Sequence, residues 1–203
     1  MVEGVNVKNI GSDNVVDLAD IGKCINSEII ISGSGNKVKV SAGTSLVNVK
    51  MQLLSNGNIV EIGEGCRVTA SIIMKLVDNN SLKIGDHTTI GGCNFICGEG
   101  TSIIIGRDCM LAWNLEIRST DSHAIVDAET GKRINQAANI LIDDHVWIGA
   151  HATILKGAHI ARDSVVSIRS VVTSEFDESG VILGGAPARK LRSGINWKRP
   201  LLG

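Results

Sequence analysis

An Ile or Val recurs at every sixth position over the last third of the chain, and this period limits the fold severely. The repeat runs without a miss through six units: Ile142, Ile148, Ile154, Ile160, Val166 and Val172. Side chains alternate along a strand and six is an even number, so all of these residues face the same side. Small residues after several of them, such as Gly149, let the chain turn a corner. The period predicts an all-β fold, a parallel β-helix whose coils stack on one another.

The composition agrees with a core of stacked aliphatic side chains. The 203 residues include 27 Ile and 19 Val, whereas aromatic residues make up only 2%. Gly is frequent, with 23 residues, and Pro is scarce, with 2. These residue types favour strands broken by tight turns over helices. An aperiodic β-sandwich would also explain the composition, but it would not explain the six-residue period.

The repeat divides the chain into segments of one predicted domain, residues 1–203. Regular coils are predicted for 84–117 and 140–173, and a looser pattern predicts irregular opening coils for 1–66. The polar stretch 119–139 interrupts the period and predicts a protruding loop, and loops on rigid scaffolds often carry function. A C-terminal cap or tail is predicted for 184–203, with a short basic helix over 188–193.

Charge and sequence pattern argue against several classes of protein. Basic and acidic residues number 20 and 21, without the basic excess typical of nucleic-acid binding. No apolar run approaches the roughly 18 residues of a membrane span, and the N-terminus does not resemble a secretory signal. The five Cys show no paired spacing that indicates a metal site. We therefore expect a cytoplasmic protein with reduced cysteines, no membrane insertion and no metal.

Four segments together resemble one known family. They are the run from Ile142 to Ala150, the run from Ile154 to Ala158, the run from Ser170 to Thr173, and Gly185-Ala186-Pro187-Ala188. This order resembles the hexapeptide-repeat acyltransferases, most closely the O-acetyltransferases of sugars and capsular polysaccharides. The resemblance covers about residues 84–197. It implies a left-handed β-helix with triangular coils, a homotrimer, and acetyl-CoA as co-substrate.

The resemblance also implies a mechanism, in which a loop histidine removes the proton of an acceptor hydroxyl that attacks the thioester directly. His123 is the candidate base, because it is the only His in the loop 119–139. Asp121 is a candidate to orient the imidazole, and Asn94 resembles an asparagine that contacts the acceptor. From the residues alone, His123 could also be a solvated loop residue, Asp121 a turn former, and Asn94 a left-handed corner residue.

The same resemblance implies which residues contact CoA. Trp147 precedes the inward Ile148, so it points outward, and it resembles a tryptophan beside the pantetheine arm; burial at a subunit contact is the alternative. The resemblance also assigns to CoA binding Ala150, Ile168, Thr173, Arg189, Lys190 and Arg192. The basic residues could equally form a solvated face. This chain departs from the common pattern at Ser167-Ile168 and Ser174, where a bulkier Ile168 would reshape the CoA slot.

Other functions remain open at this stage. An N-acetyltransferase acting on an amino sugar would need the same base, and a trimeric solenoid without activity would serve as a scaffold. A zinc enzyme on the same fold needs three converging histidines, and His145 and His151 lie on adjacent faces. His87 or His159 would have to complete such a site across an interface. Trp113 and Trp197 are interpreted as interface or packing residues, and His151 and Arg169 are expected to stack outward on successive coils.

Overall fold

The chain forms a parallel β-solenoid of about eight coils. The computed structural model describes residues 3–18 and 20–202. Residues 1, 2, 19 and 203, where the predicted domain also extends, lie outside the described residues. No helix is present in the described part of the chain, and so none there is long and apolar enough to cross a membrane.

The strands of the described residues, in chain order, are β1 (Val5–Asn9), β2 (Val15–Asp17), β3 (Lys23–Ile25), β4 (Ser27–Ile31), β5 (Lys37–Val40), β6 (Ser45–Val47), β7 (Lys50–Leu53), β8 (Ile59–Ile62), β9 (Arg67–Lys75), β10 (Ser81–Ile84), β11 (Thr89–Gly98) and β12 (Ser102–Ile105). They continue with β13 (Met110–Leu111), β14 (Leu115–Arg118), β15 (Ile140–Ile142), β16 (Trp147–Ile148), β17 (Thr153–Leu155), β18 (His159–Ile160), β19 (Val165–Val166), β20 (Val171–Val172), β21 (Glu175–Phe176), β22 (Ile182–Gly185) and β23 (Ala188–Arg192).

Each coil contributes a strand segment to three faces. The first face stacks β1, β4, β7, β9, β11, β14, β17 and β20, and the second stacks β2, β5, β8, β10, β12, β15, β18 and β21. The third face stacks β3, β6, β9, β11, β13, β16, β19 and β22, because β9 and β11 bend around a corner and belong to two faces. Strands within a face are parallel and in register, so residues of successive coils lie directly above one another.

The predicted inward column is confirmed. Ile142, Ile148, Ile154, Ile160, Val166 and Val172 are all fully buried. The residues two positions before the last five are buried as well, so each six-residue unit contributes two inward side chains. The core is therefore a continuous stack of medium-sized aliphatic residues, and it leaves little room for rings.

The opening coils differ from the expectation for residues 1–66. Their register advances by 22 residues in most pairings, as from Val15 to Lys37 and from Lys37 to Ile59, and by 21 from Lys50 to Ser71. From β15 to β20 the step is 18, as in the pairing of Trp147 with Val165, and it shortens to 16 and 17 where β21 and β22 join the stack. The opening coils are thus regular but wider, and a search for a six-residue period could not recognise them.

The wide coils share an internal feature that the narrow coils lack. Four asparagines at the corner between the first and second faces form an asparagine ladder: Asn14, Asn36, Asn58 and Asn80. In each step the side-chain amide donates a hydrogen bond to the amide oxygen of the rung before it, at 2.7–3.1 Å. The last three rungs are fully buried. The extra residues of the wide coils are therefore held by a satisfied polar column.

At the C-terminal end the predicted short helix over 188–193 is wrong, because this segment forms a strand. Residues 188–192 form β23, which pairs antiparallel with β22 after the turn through Gly185, whose φ is 101°. Strand β22 would otherwise leave its backbone groups unpaired at the end of the third face, and pairing with β23 satisfies them. The solenoid ends in a hairpin that covers this edge.

Candidate active site

A groove runs along the outside of the third face, at its corner with the first face. It has a volume of about 800 Å³ and a mostly apolar lining. We name it the third-face groove, and its lining includes Met110, Trp113, Trp147, Ala150, Ile168 and Ile182. Three of the residues predicted to bind CoA are therefore brought together here. Trp147 points outward as predicted, and Ile168 is 63% exposed beside it.

The predicted basic residues lie at the C-terminal end of the same sheet. Arg189, Lys190 and Arg192 are exposed on β23, one strand beyond the Ile182 that lines the groove. Lys190 forms an ion pair with Glu178 and lowers the pKa of that carboxyl. Thr173 lies elsewhere. It follows β20 on the first face and does not line the third-face groove.

The C-terminal tail folds back over the third face and packs against Trp147. The Trp197 ring stacks on His145 with 4.3 Å between centroids, and its Nε1 donates a hydrogen bond to the His145 carbonyl. Its centroid lies 6.1 Å from that of Trp147. Trp197 is therefore a packing residue within its own chain, whereas Trp113 is 59% exposed in the groove lining.

Two ion pairs anchor the base of the loop 119–139 on the solenoid. Arg133 donates two hydrogen bonds to Glu99, which follows β11, and lowers the pKa of that carboxyl. Lys156 donates to Asp121 at 2.5 Å and lowers the pKa of that carboxyl. His123 itself is exposed. A flexible loop would not hold a base in place, and these contacts fix both ends of this one.

Asn135 joins the two halves of the loop and was missed by the sequence analysis. Its Nδ2 donates to Asp121 at 2.7 Å and to the His123 carbonyl at 2.8 Å. Its Oδ1 accepts from the Ile125 backbone N–H and from Arg133. With this side chain 9% exposed, its hydrogen bonds are almost entirely internal. The sequence gives little signal for such a residue, because its partners in the first half of the loop are 10 to 14 positions away.

The Asp121 carboxylate does not take the expected position beside the His123 ring. Its hydrogen-bond partners among the described residues are Lys156 and Asn135, and the latter holds the His123 backbone. Asp121 therefore acts on the loop backbone near His123. Asn94 is not the left-handed corner residue that was one of its two interpretations. It lies in β11 with an exposed side chain.

Two of the other histidines, His145 and His159, contact separate carboxylates. His145 Nδ1 lies 2.9 Å from Asp163, and His159 lies between Asp143 and Asp177. His151 and Arg169 turn the same corner in successive coils, with φ of 59° and 57°, as the expected stacking requires. Within the described ranges no group of three or more His, Cys, Asp or Glu residues is placed to hold a metal ion.

The chain is similar in sequence to known acetyltransferases. The polysialic acid O-acetyltransferase of Neisseria meningitidis is 35% identical over 121 residues, which are 60% of this chain and 56% of that protein. The match thus spans about half the length of that curated relative. No protein-family model matches the chain.

Two solved structures match almost the whole chain. The crystal structure of the polySia-specific acetyltransferase NeuO has a TM-score of 0.93 and 27% identity, covering 98% of this chain and 91% of its own. The polysialic acid O-acetyltransferase OatWY has a TM-score of 0.83 and 30% identity, with coverages of 97% and 93%. The solenoid described above is a left-handed β-helix like theirs.

Proposed function

Because the chain belongs to the hexapeptide-repeat acyltransferases, we propose that it transfers an acetyl group from acetyl-CoA to a hydroxyl of a bacterial surface polysaccharide. The third-face groove carries this proposal. Its apolar lining beside Trp147 suits the pantetheine arm, and the basic strand β23 at the end of the same sheet suits the phosphates of CoA. The relatives' acceptor, polysialic acid, is the first acceptor to test.

The proposed chemistry is a direct transfer with His123 as general base. The acceptor oxygen attacks the thioester carbonyl carbon while its proton passes to the imidazole. The carbon–sulfur bond then breaks, and the CoA thiolate takes the proton from the imidazolium. The thioester is already activated, so no acyl-enzyme is needed. A positioned histidine base contributes about 10²–10⁴-fold to such a rate.

The proposed working unit is a homotrimer. In one chain His123 lies on a loop that leaves the first face. Of the residues predicted to bind CoA, Trp147, Ala150 and Ile168 line the third-face groove, whereas Thr173 follows β20 on the first face. A neighbouring copy would bring residues from different faces to one site. Exposed apolar side chains at Ile125, Ile134 and Trp113 provide surface for such contacts. Sedimentation equilibrium tests this directly, and a monomeric mass would contradict it.

The function is tested by incubating the protein with acetyl-CoA and a panel of polysialic acid, neutral sugars and amino sugars. We expect CoA release and an O-acetylated polysaccharide product by mass spectrometry. His123→Ala should lower kcat by about 10²–10⁴-fold with unchanged folding, because the side chain is exposed. Acetylation of an amine alone would favour the N-acetyltransferase. Absence of CoA binding by calorimetry would favour the scaffold.

The five cysteines are free, which fits the proposed cytoplasmic location.

A further inference from the structure

A second, polar groove lies on the first face, in the coils just before the loop 119–139. It has a volume of about 290 Å³, near the lower end of the range for small-molecule sites. We name it the first-face groove. Its polar lining consists of Asn48, Lys50, Thr69, Ser71, Asn94 and Asn114. Amides and hydroxyls of this kind hydrogen-bond to sugar hydroxyls as donors and acceptors.

The register places this groove in line with the loop. Lys50 is paired with Ser71, and Ser71 with Asn94, on successive strands of the first face. Two strand spacings separate Lys50 from Asn94, which is about 10 Å along the solenoid axis. The next strand, β14, pairs with β11 at Asn94 and ends at Arg118, where the loop with His123 begins. A chain lying in this groove would therefore lead toward the proposed base.

The charges around the groove leave one cation available. Glu28, paired in register with Lys50, forms an ion pair with Lys8 at 3.3 Å. Glu116, next to Asn94, forms one with Arg118 at 3.0 Å. Lys50 has no ion-pair or hydrogen-bond partner in the part of the chain that the structure describes, and the groove lining contains no acidic residue. The site is thus neutral and polar with a single positive charge.

We propose that the first-face groove binds a sugar unit of the acceptor that precedes the unit being acetylated, and that Lys50 pairs with a carboxylate on it. This inference rests on the proposed transfer to a polysaccharide and adds to it a separate sugar-binding site, in which Lys50 contacts the carboxylate. Asn94 and Ser71 would hydrogen-bond to the hydroxyls of the same chain. The acceptor groove would then lie on the coils before the loop, while the donor groove extends from these coils into the narrow ones.

Direct binding tests the groove independently of catalysis. The probes are polysialic acid, polygalacturonate and polysialic acid whose carboxylates have been reduced to alcohols, each titrated by calorimetry into the full chain. We expect at least one acidic polymer to bind and the reduced polymer to bind more weakly. Lys50→Met should weaken the binding of the acidic polymer by about three- to tenfold, the range for an exposed charge-assisted contact, and leave the reduced polymer unaffected.

The matched control is Lys39→Met, an exposed lysine of the same coil on the second face. It should leave binding unchanged. Equal losses in both lysine variants would indicate a general charge effect and overturn the proposal. It would also be overturned if neither acidic polymer bound, or if Lys50→Met had no effect. Absence of acetyl transfer with intact, Lys50-dependent binding would instead contradict the proposed function alone.

Discussion

The two halves of the solenoid follow the same winding with different coil sizes. The wide coils advance by 22 residues in most pairings and have mainly strands of three to five residues. The narrow coils advance by 18 until the last coil and have strands of two or three residues, except β22, which has four. The wide coils fill one corner with the asparagine ladder. At the equivalent level the narrow coils fill their corners with small side chains, such as Ala158, Ser164 and Ser170, all buried.

The comparison shows that stacking of coils does not depend on one repeat length. What both halves keep is an inward aliphatic column and strands in register. The two halves differ in what fills the interior of the corner. Hydrogen-bonded asparagine amides fill it in the wide coils, and closely packed small side chains fill it in the narrow coils. The proposed donor groove spans the narrow coils and the coils just before them, and the proposed acceptor groove lies on the wide coils.

Removing one rung of the ladder should have the largest effect on stability. Asn58 is buried and hydrogen-bonds to Asn36, to Asn80 and to the Ser55 carbonyl. Asn58→Ala leaves buried amides without these partners, so we expect the free energy of unfolding to fall by about 2–4 kcal/mol. Ser164→Ala, in a narrow coil, breaks only long hydrogen bonds of 3.3 Å and should cost less than about 1 kcal/mol.

Urea denaturation of the purified variants measures both values. Asn56→Ala is the matched control, because Asn56 lies in the same turn with an exposed side chain. A loss for Asn58→Ala no larger than that for Asn56→Ala would show that the ladder contributes little. Equal losses for Asn58→Ala and Ser164→Ala would remove the distinction between the two kinds of corner.

The conformation of the loop 119–139, and with it the position of His123, should depend on Asn135. Asn135→Ala removes the hydrogen bonds to Asp121 and to the His123 carbonyl, so the proposed base loses its fixed position. We expect kcat to fall about 10–100-fold, because misplacement of a catalytic group costs about that much. The KM for acetyl-CoA should stay unchanged, since the third-face groove is not touched.

Hydrogen exchange separates positioning from misfolding in this variant. Amides of the loop should exchange faster, while those of the β-strands keep their protection. Thr130→Ala is the control within the same loop, because its hydroxyl hydrogen-bonds only within the exposed turn, to Asp127 and to the Lys132 backbone N–H. Normal kcat in Asn135→Ala, or a loss of equal size in Thr130→Ala, would refute the positioning role.

The C-terminal tail connects the two halves. Trp197 packs on His145 and Trp147 in the narrow coils, while Arg199 hydrogen-bonds to Asp108 and Thr89 in the preceding coils. Trp197→Ala should free the Trp147 ring and raise the apparent KM for acetyl-CoA about two- to tenfold, the worth of one aromatic contact. Trp197→Phe keeps a ring and should change the KM less. Identical KM values in all three proteins would assign the tail to structure alone.

The sequence predicts the narrow coils better than the wide ones, for a physical reason. A column such as Ile148 and Ile154 is visible because its period is short and lies within the local chain. The asparagine ladder has a period of 22, so each rung meets its partner only after a complete coil. Asn135 and Lys156 were not predicted either, because their contacts depend on how the loop returns to the solenoid. The sequence does mark the loop itself and His123.

The wrong prediction at the C-terminus has a similar cause. The run from Ala188 to Ser193 contains good helix formers, and local propensity alone favours a helix there. The open edge of β22 offers a row of backbone hydrogen bonds instead, and only the folded solenoid provides it. Tertiary context therefore overrides propensity where a sheet would otherwise end unpaired.

The outer surface of the second face should respond to pH differently in the two halves. In the wide coils Lys83 forms an ion pair with Glu61 at 3.0 Å, and this pair contains no histidine. In the narrow coils both nitrogens of His159 face carboxylates, Asp177 at 2.6 Å and Asp143 at 3.2 Å. Burial lowers the pKa of His159, but these two hydrogen bonds outweigh it and raise the pKa overall.

A raised histidine pKa stabilises the folded state below the unfolded value of about 6.5, and this contribution is lost as pH rises through the folded pKa. The free energy of unfolding should therefore decrease from pH 6 to pH 8.5. In His159→Gln the decrease should be smaller, because glutamine does not titrate. Lys83→Gln should lower stability by a similar amount at every pH in this window, since the ion pair that it removes contains no histidine. A pH dependence unchanged by His159→Gln would show that another group is responsible and that the two halves do not differ in this respect.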